Sequence, residues 1–231
     1  MSFIFSKCIS LLSAASGFFI WVGLFLLIAG LSYSLIKNLL AVFKTKKEIK
    51  KLPLKDYGLD TVLINDKSTH LAFTAGIFKP KIYISSGLLN SFTRDELRAV
   101  FIHELHHKKR KDPLKFFTVS FIKDMFFYLP ITNYLTRLFH TIMEMAADDK
   151  VVSITGKPLE LASAMVKVST HNRNLRMAVS IKGKDGIENR IKRLLGEDTG
   201  KTPLPSIKTV LISFVMAMFL LSIPIVAVSG F

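Results

Sequence analysis

The string His103-Glu104-Leu105-His106-His107 sets two imidazoles four residues apart with a carboxylate beside the first. On a helix, positions i and i+4 share one face, so His103 and His107 can aim ring nitrogens at a single ion, which is what an HExxH motif does in a metallopeptidase. Glu104 borders that face. Zinc held there brings the pKa of a coordinated water to about 7, and Glu104 is then placed to act first as base toward the water and later as acid toward the leaving amine. The same five letters occur on solvated helices, and Lys108, Lys109, Arg110 and Lys111 give the distal end of this segment such a face. Val100 and Phe101, interleaved with the histidines, point instead to burial, where two imidazoles beside a carboxylate are costly without a ligand.

A catalytic zinc takes a third protein ligand and keeps one open position. The expected third ligand is Glu144, in Met143-Glu144-Met145-Ala146-Ala147-Asp148-Asp149. Asp148, one helical turn on, is placed to accept the second N–H of a ligand histidine and fix its orientation. Ala146 and Ala147 allow another helix to pack closely. His140, a turn before Glu144, is the alternative third ligand, although with Phe139 and Thr141 it reads equally as part of a packed helix. His106 could pair with His103 only by leaving His107 idle, so a surface or supporting position is expected for it. His70 and His171 have no partner at useful spacing, and structural roles are expected for both. Cys8 is the single cysteine, which excludes an internal disulfide and a thiolate zinc site.

The site needs a helix under the motif. Thr93-Arg94-Asp95-Glu96 has the form of a capping box, and Leu97, Val100, Phe101 and Leu105 recur at helical spacing, so a helix is expected over about 94–110 with Pro113 marking its end. Ahead of it, 61–64, 70–74 and 81–85 are short β-branched and aromatic runs separated by Asn65-Asp66, Gly76 and Pro80, the pattern of a small antiparallel sheet. Lys81-Ile82-Tyr83-Ile84-Ser85 is a candidate edge strand on which an extended peptide could lay its scissile bond over the metal. Further helices are expected over about 144–155, 158–170 and 186–195. The fold class is α+β and mostly helical, with the sheet and the HExxH helix forming a zinc peptidase domain between membrane helices.

Half of the residues are hydrophobic, too many for an ordinary soluble chain. Residues 11–36 and 209–231 are charge-free apolar runs longer than the ~20 positions that cross a bilayer. The first exceeds the apolar core of a signal peptide and is expected to remain as an anchor. Lys37, Lys44, Lys46, Lys47, Lys50 and Lys51 follow it while only Lys7 precedes it, and basic residues also precede the second run, which puts everything between the spans in the cytoplasm. The net charge of +15 crowds next to the spans, where anionic lipid heads account for it without invoking nucleic acid. The expected organisation is a transmembrane anchor at 1–43, a cytoplasmic zinc peptidase domain at 44–205 and a transmembrane helix at 206–231. The apolar stretch 116–142 cannot cross once, because Glu144 would then face the opposite side from His103, and it is too short to cross twice. A membrane-apposed helical hairpin bent near Pro130 is expected there.

Taken together, residues 72–195 resemble the BlaR/MecR-type antirepressor metallopeptidases and, more distantly, the HtpX-type membrane proteases. The resemblance rests on AFTAGIFKPKIYISSGLL with Phe73, Gly76 and Pro80, on DELRAVFIHELHHKKRKDP with Asp112, on Glu144 and Asp148, and on IENRIKRLL at 187–195. It implies a gluzincin-like zinc domain on the cytoplasmic side and site-specific cleavage of a protein, in well-known members during antibiotic-induced derepression. One clear span precedes the zinc domain where relatives usually have more, and no C-terminal sensor domain is expected. The expectation is therefore that the chain binds no β-lactam outside the cell, and that any trigger comes from the membrane, a partner or the substrate. A site-two-type intramembrane protease would carry a later LDG-like motif, which is absent, and Lys108 to Lys111 would be costly in hydrocarbon. From another class, the alternative is a catalytically inactive peptidase-like membrane scaffold or signalling partner.

Overall fold

The computed structural model describes residues 2–56, 58, 60–171, 184–197 and 204–229, with side chains outside 2–20, 184–185 and 219–229. The chain divides into two units, one made of Val42–Thr118 with Leu138–Thr202, the other of Met1–Ala41, Val119–Arg137 and Pro203–Phe231.

In the first unit, strands β1 (Leu54–Asp56), β2 (Thr61–Ile64), β3 (Ala72–Ala75) and β4 (Lys81–Ser85) form one sheet in the order β1-β2-β4-β3. The sheet is mixed, and this corrects the expectation of an antiparallel one: β1 pairs antiparallel with β2 and β3 with β4, but β2 lies parallel to β4. The cause is the link between β2 and β3, which wraps the C-terminal end of β4. Ser85 N donates to Leu71 O at 2.8 Å and Gly87 N to Asp66 O at 2.9 Å, while Ser85 Oγ donates to Thr69 O at 2.6 Å. The wrap delivers β3 to the far side of β4. Gly87 has no room for a Cβ, which would overlap the carbonyl oxygens of Thr69 and Lys67.

The wrap also corrects the choice of edge. Lys81–Ser85 is interior, and the open edge nearest the HExxH helix is β3. Ile82 and Ile84 of β4, paired with Thr74 and Ala72 of β3, turn into a core with Leu88, Phe92, Val100 and Ala164. On the opposite face Phe73 stacks on Tyr83 at 5.0 Å.

Among the described residues this unit also holds, wholly or in part, α2 (Ser86–Ser91), α3 (Arg94–Lys109), α4 (Asp112–Met125), α5 (Ile131–Thr155), α6 (Pro158–His171) and α7 (Lys184–Leu194). The capping box at the start of α3 forms, with Thr93 N donating to Glu96 Oε2 at 2.8 Å and Glu96 N to Thr93 Oγ1 at 3.2 Å. Glu96 is itself buried and accepts from Ser163 Oγ at 2.6 Å and Lys167 Nζ at 2.7 Å, so the cap also ties α3 to α6. Lys111, at φ +53°, turns the chain between α3 and α4. Pro113 stands in the first turn of α4, where its missing N–H is harmless, so it opens that helix. Ala99, Val151 and Leu161, joined by Ile102, Met165 and Leu194, lock α3, α5, α6 and α7 together.

The second unit holds most of α1 (Ser2–Lys51), the bend between α4 and α5, and α8 (Ile207–Ser229). Trp21–Lys51 is long and apolar enough to cross a membrane, with Trp21, Phe25 and Phe43 exposed. Ile207–Met218 is a shorter apolar helix, and the rest of the second expected span lies outside the described side chains. The chain bends over residues 126–130, at the expected position near Pro130. Within this unit Ser34 Oγ donates to Phe121 O at 2.6 Å, and the buried Asp124 accepts from Lys37 Nζ at 2.6 Å and Asn38 Nδ2 at 3.2 Å. Gly30 lies so close to Met125 that a Cβ would overlap its carbonyl oxygen.

Candidate metal centre

Helix α3 turns His103, Glu104 and His107 inward, and all three are buried. Phe101, expected to be buried with them, is 39% exposed, so Val100 alone carries that part of the packing. Helix α5 brings Glu144 opposite the histidines. Its Oε2 lies 3.4 Å from His103 Nε2 and its Oε1 3.6 Å from His107 Nε2. One atom from each of His103, His107 and Glu144 falls within 4.8 Å of the others, a spacing that one ion can bridge.

The remaining nitrogens of the two rings face carboxylates. His103 Nδ1 lies 3.1 Å from Asp148 Oδ1, and His107 Nδ1 lies 2.8 Å from Asp112 Oδ2. Carboxylates only accept, so each ring is assigned its proton on Nδ1. Both Nε2 atoms then present lone pairs, and they stand 3.1 Å apart beside the oxygens of Glu144. Lone pairs brought this close repel one another, and a cation among them removes the repulsion. The residues present therefore fit a divalent metal with His and carboxylate ligands, the set typical of catalytic zinc.

Around this group lies a buried ionic frame. Arg190 of α7 donates Nε and Nη2 to Asp148 Oδ2 and Oδ1, each at 2.7 Å, and Nη1 to Glu144 Oε2 at 2.6 Å. Burial opposes its charge, but the hydrogen bond to Asp148 and the fields of Glu144, Asp148 and Glu104 outweigh that and raise its pKa above the ordinary value. Burial likewise pushes Asp148 and Asp112 toward protonation. Hydrogen bonds from His103 and Arg190 in one case, and from His107 and Lys115 in the other, reverse the effect and hold both carboxyls below their usual range. Glu104 is oriented from the sheet, with Thr74 Oγ1 of β3 donating to its Oε2 at 2.9 Å and to its carbonyl oxygen at 3.0 Å.

A profile of the BlaR1 peptidase M56 family matches residues 60–194. This chain belongs to that family. Among M56 relatives and their kin, regulatory protein BlaR1 of Bacillus licheniformis is 30% identical over 125 residues, covering 54% of this chain and 20% of that protein. Protease HtpX homolog 2 of Methanosarcina acetivorans is 28% identical over 123 residues, 39% of this chain and 42% of that protein. Protease HtpX homolog of Moorella thermoacetica is 30% identical over 122 residues, 38% and 41%. The chain thus spans less than half the length of each. The M56 segment contains Thr74, His103, Glu104, His107, Asp112, Glu144, Asp148 and Arg190.

The structure brings together His103, Glu104, His107, Glu144 and Asp148, the residues selected from spacing. His140 instead stacks on Phe116 at 4.4 Å. His106 is partly buried, which lowers its pKa, and its ring lies edge-on to His107. His70 and His171 do have a partner, each other: their rings stack at 3.8 Å, and His171 Nε2 lies 2.7 Å from Ser68 O. Sequence reasoning missed Thr74 and Arg190 as site residues. Arg190 differs in no local feature from Arg193, which reaches the exposed Asp149 instead, and Thr74 is thirty residues from the carboxylate it orients.

Proposed function

We propose that this M56 chain is a membrane-anchored, zinc-dependent metalloendopeptidase that hydrolyses peptide bonds of a cytoplasmic or membrane-associated protein, in regulatory signalling. The observation that carries the reading is the convergence of His103 Nε2, His107 Nε2 and Glu144 on one point while carboxylates hold both Nδ1 atoms. His103, His107 and Glu144 would hold the zinc, with Asp148 and Asp112 orienting the rings. Bound there, zinc supplies Lewis acidity and lowers the pKa of water to about 7.

Glu104 accepts a proton from the attacking water and delivers it to the departing amine nitrogen, so one C–O bond forms as the peptide C–N bond breaks. Thr74 Oγ1 fixes the carboxylate for both transfers. The edge of β3, next to α3, suits an extended peptide added as a further strand. Anchoring rests on the apolar α1 and α8, and the lysines in the C-terminal part of α1, from Lys37 to Lys51, favour a cytoplasmic catalytic unit.

The test is the zinc content of the detergent-purified chain beside His103→Ala and Glu144→Ala. About one zinc per chain, lost in both variants, is expected; metal-free wild-type protein after zinc reconstitution refutes the reading. Glu104→Gln is expected to retain zinc and to cleave no member of an internally quenched peptide library that wild type cleaves, since an amide cannot serve as base.

A further inference from the structure

A cavity of ≈ 60 Å³ opens beside the face that carries His103 and Glu104. Its walls are Ala72 of β3, Val100 of α3, Leu161, Ala164 and Met165 of α6 and Ile187 of α7, and it reaches Arg190. We propose that this cavity receives an aliphatic side chain of the substrate residue flanking the scissile bond, and so selects where the chain cuts. The inference rests on the peptidase reading above and adds the substrate class.

Four observations carry it. The cavity shares His103 and Glu104 with the metal centre, so whatever fills it lies next to the reacting carbonyl. Thr74 and Ala72 are same-face neighbours on β3, about 6.6 Å apart along the strand, one touching Glu104 and the other forming the cavity wall. A peptide added to the β3 edge repeats that period, so a side chain turned toward α3 near Glu104 enters the cavity. The size then chooses the occupant. A cavity of about 150 Å³ is filled by benzene, so one of ≈ 60 Å³ excludes an aromatic ring and suits a branched aliphatic group. The guanidinium of Arg190 is committed to Asp148 and Glu144, and so gives an acidic side chain no dedicated partner.

The experiment titrates the zinc-reconstituted, detergent-solubilised full chain by calorimetry with amino-acid hydroxamates that differ only in the side chain: Ala, Leu, Phe or Asp. This is a binding readout, independent of turnover. Leu is expected to bind about 10-fold or more tighter than the other three, the discrimination typical of apolar pockets. Ala72→Val, a change that suits a strand, should remove the Leu advantage and leave Ala unchanged. Met165→Ala should raise Phe affinity by about 10-fold, and it tests the cavity from a second element should Ala72→Val disturb β3. Equal affinities across the series, or preferences untouched by both variants, overturn the proposal while leaving the metal reading intact. Failure of every hydroxamate to bind overturns both.

Discussion

Replacing Arg190 by methionine keeps much of the side-chain volume and deletes the cation that holds Asp148 and Glu144. Asp148 is 1% exposed and Arg190 4%, so water cannot replace the three lost hydrogen bonds. Removing one partner of a buried pair costs about 3–5 kcal/mol, a large part of the roughly 5–15 kcal/mol that stabilises a typical domain. For a unit of this size that is a fall of roughly 6–20 °C in melting midpoint. Arg193→Met is the internal control. It stands one turn along the same helix and pairs with an acidic neighbour on α5, but in an exposed position, where a bridge contributes about 0–1 kcal/mol. The assay is thermal unfolding by far-ultraviolet circular dichroism, without metal and with zinc. The Arg190→Met deficit should shrink with zinc, because a second cation offsets the unpaired carboxylates. If Arg190→Met and Arg193→Met melt within a degree of each other, Arg190 is not the keystone of a buried frame and the reasoning fails.

Asp112→Asn should weaken zinc binding about 10- to 100-fold in competition with a chelator, because His107 Nδ1 loses its carboxylate; unchanged affinity would remove Asp112 from the frame. Glu96 carries a pH prediction. Burial works against its charge, but hydrogen bonds from Lys167, Ser163 and the Thr93 backbone hold its pKa below the ordinary 4.5. A depressed folded pKa contributes stability that is complete above 4.5 and fades as pH falls through the lower folded value. The deficit of Glu96→Gln in a denaturant titration should accordingly be full at neutral pH and narrow in acid; a deficit that is the same in acid as at neutrality contradicts it. Gly30→Ala should loosen α1 from α4, since its Cβ would overlap the Met125 carbonyl oxygen, and faster amide exchange in both helices would report it. Glu104→Gln with full activity would remove the proposed base.

The part of the site that lies on single helices was legible in the sequence. His103, Glu104 and His107 meet because the helix repeat brings i and i+4 together, and Glu144 and Asp148 follow the same rule on α5. The capping box at Thr93 was legible for the same reason: its partners are three residues apart. Two expectations failed where the answer depends on chain that is distant in sequence. The sheet is mixed and not antiparallel, because strand alternation says which face is buried but not which neighbour a strand takes; that was decided by the wrap of 65–71 around the end of β4. The same wrap moved the open edge from β4 to β3. Pro113 follows the end of α3, as expected, and also stands in the first turn of α4, since a proline suits either side of a helix boundary.

Local periodicity thus determined the faces of α3 and α5 that carry the candidate ligands, and the apolar run of α1. Only the tertiary structure decided that Arg190 clamps Asp148 to Glu144, that Thr74 reaches Glu104 from β3, and that four elements enclose an apolar cavity beside them. The physical reason is the range of the interactions. A helix repeat is set by backbone hydrogen bonds that span four residues, whereas an ionic frame and a cavity arise from groups whose separation in the chain carries no periodic signature.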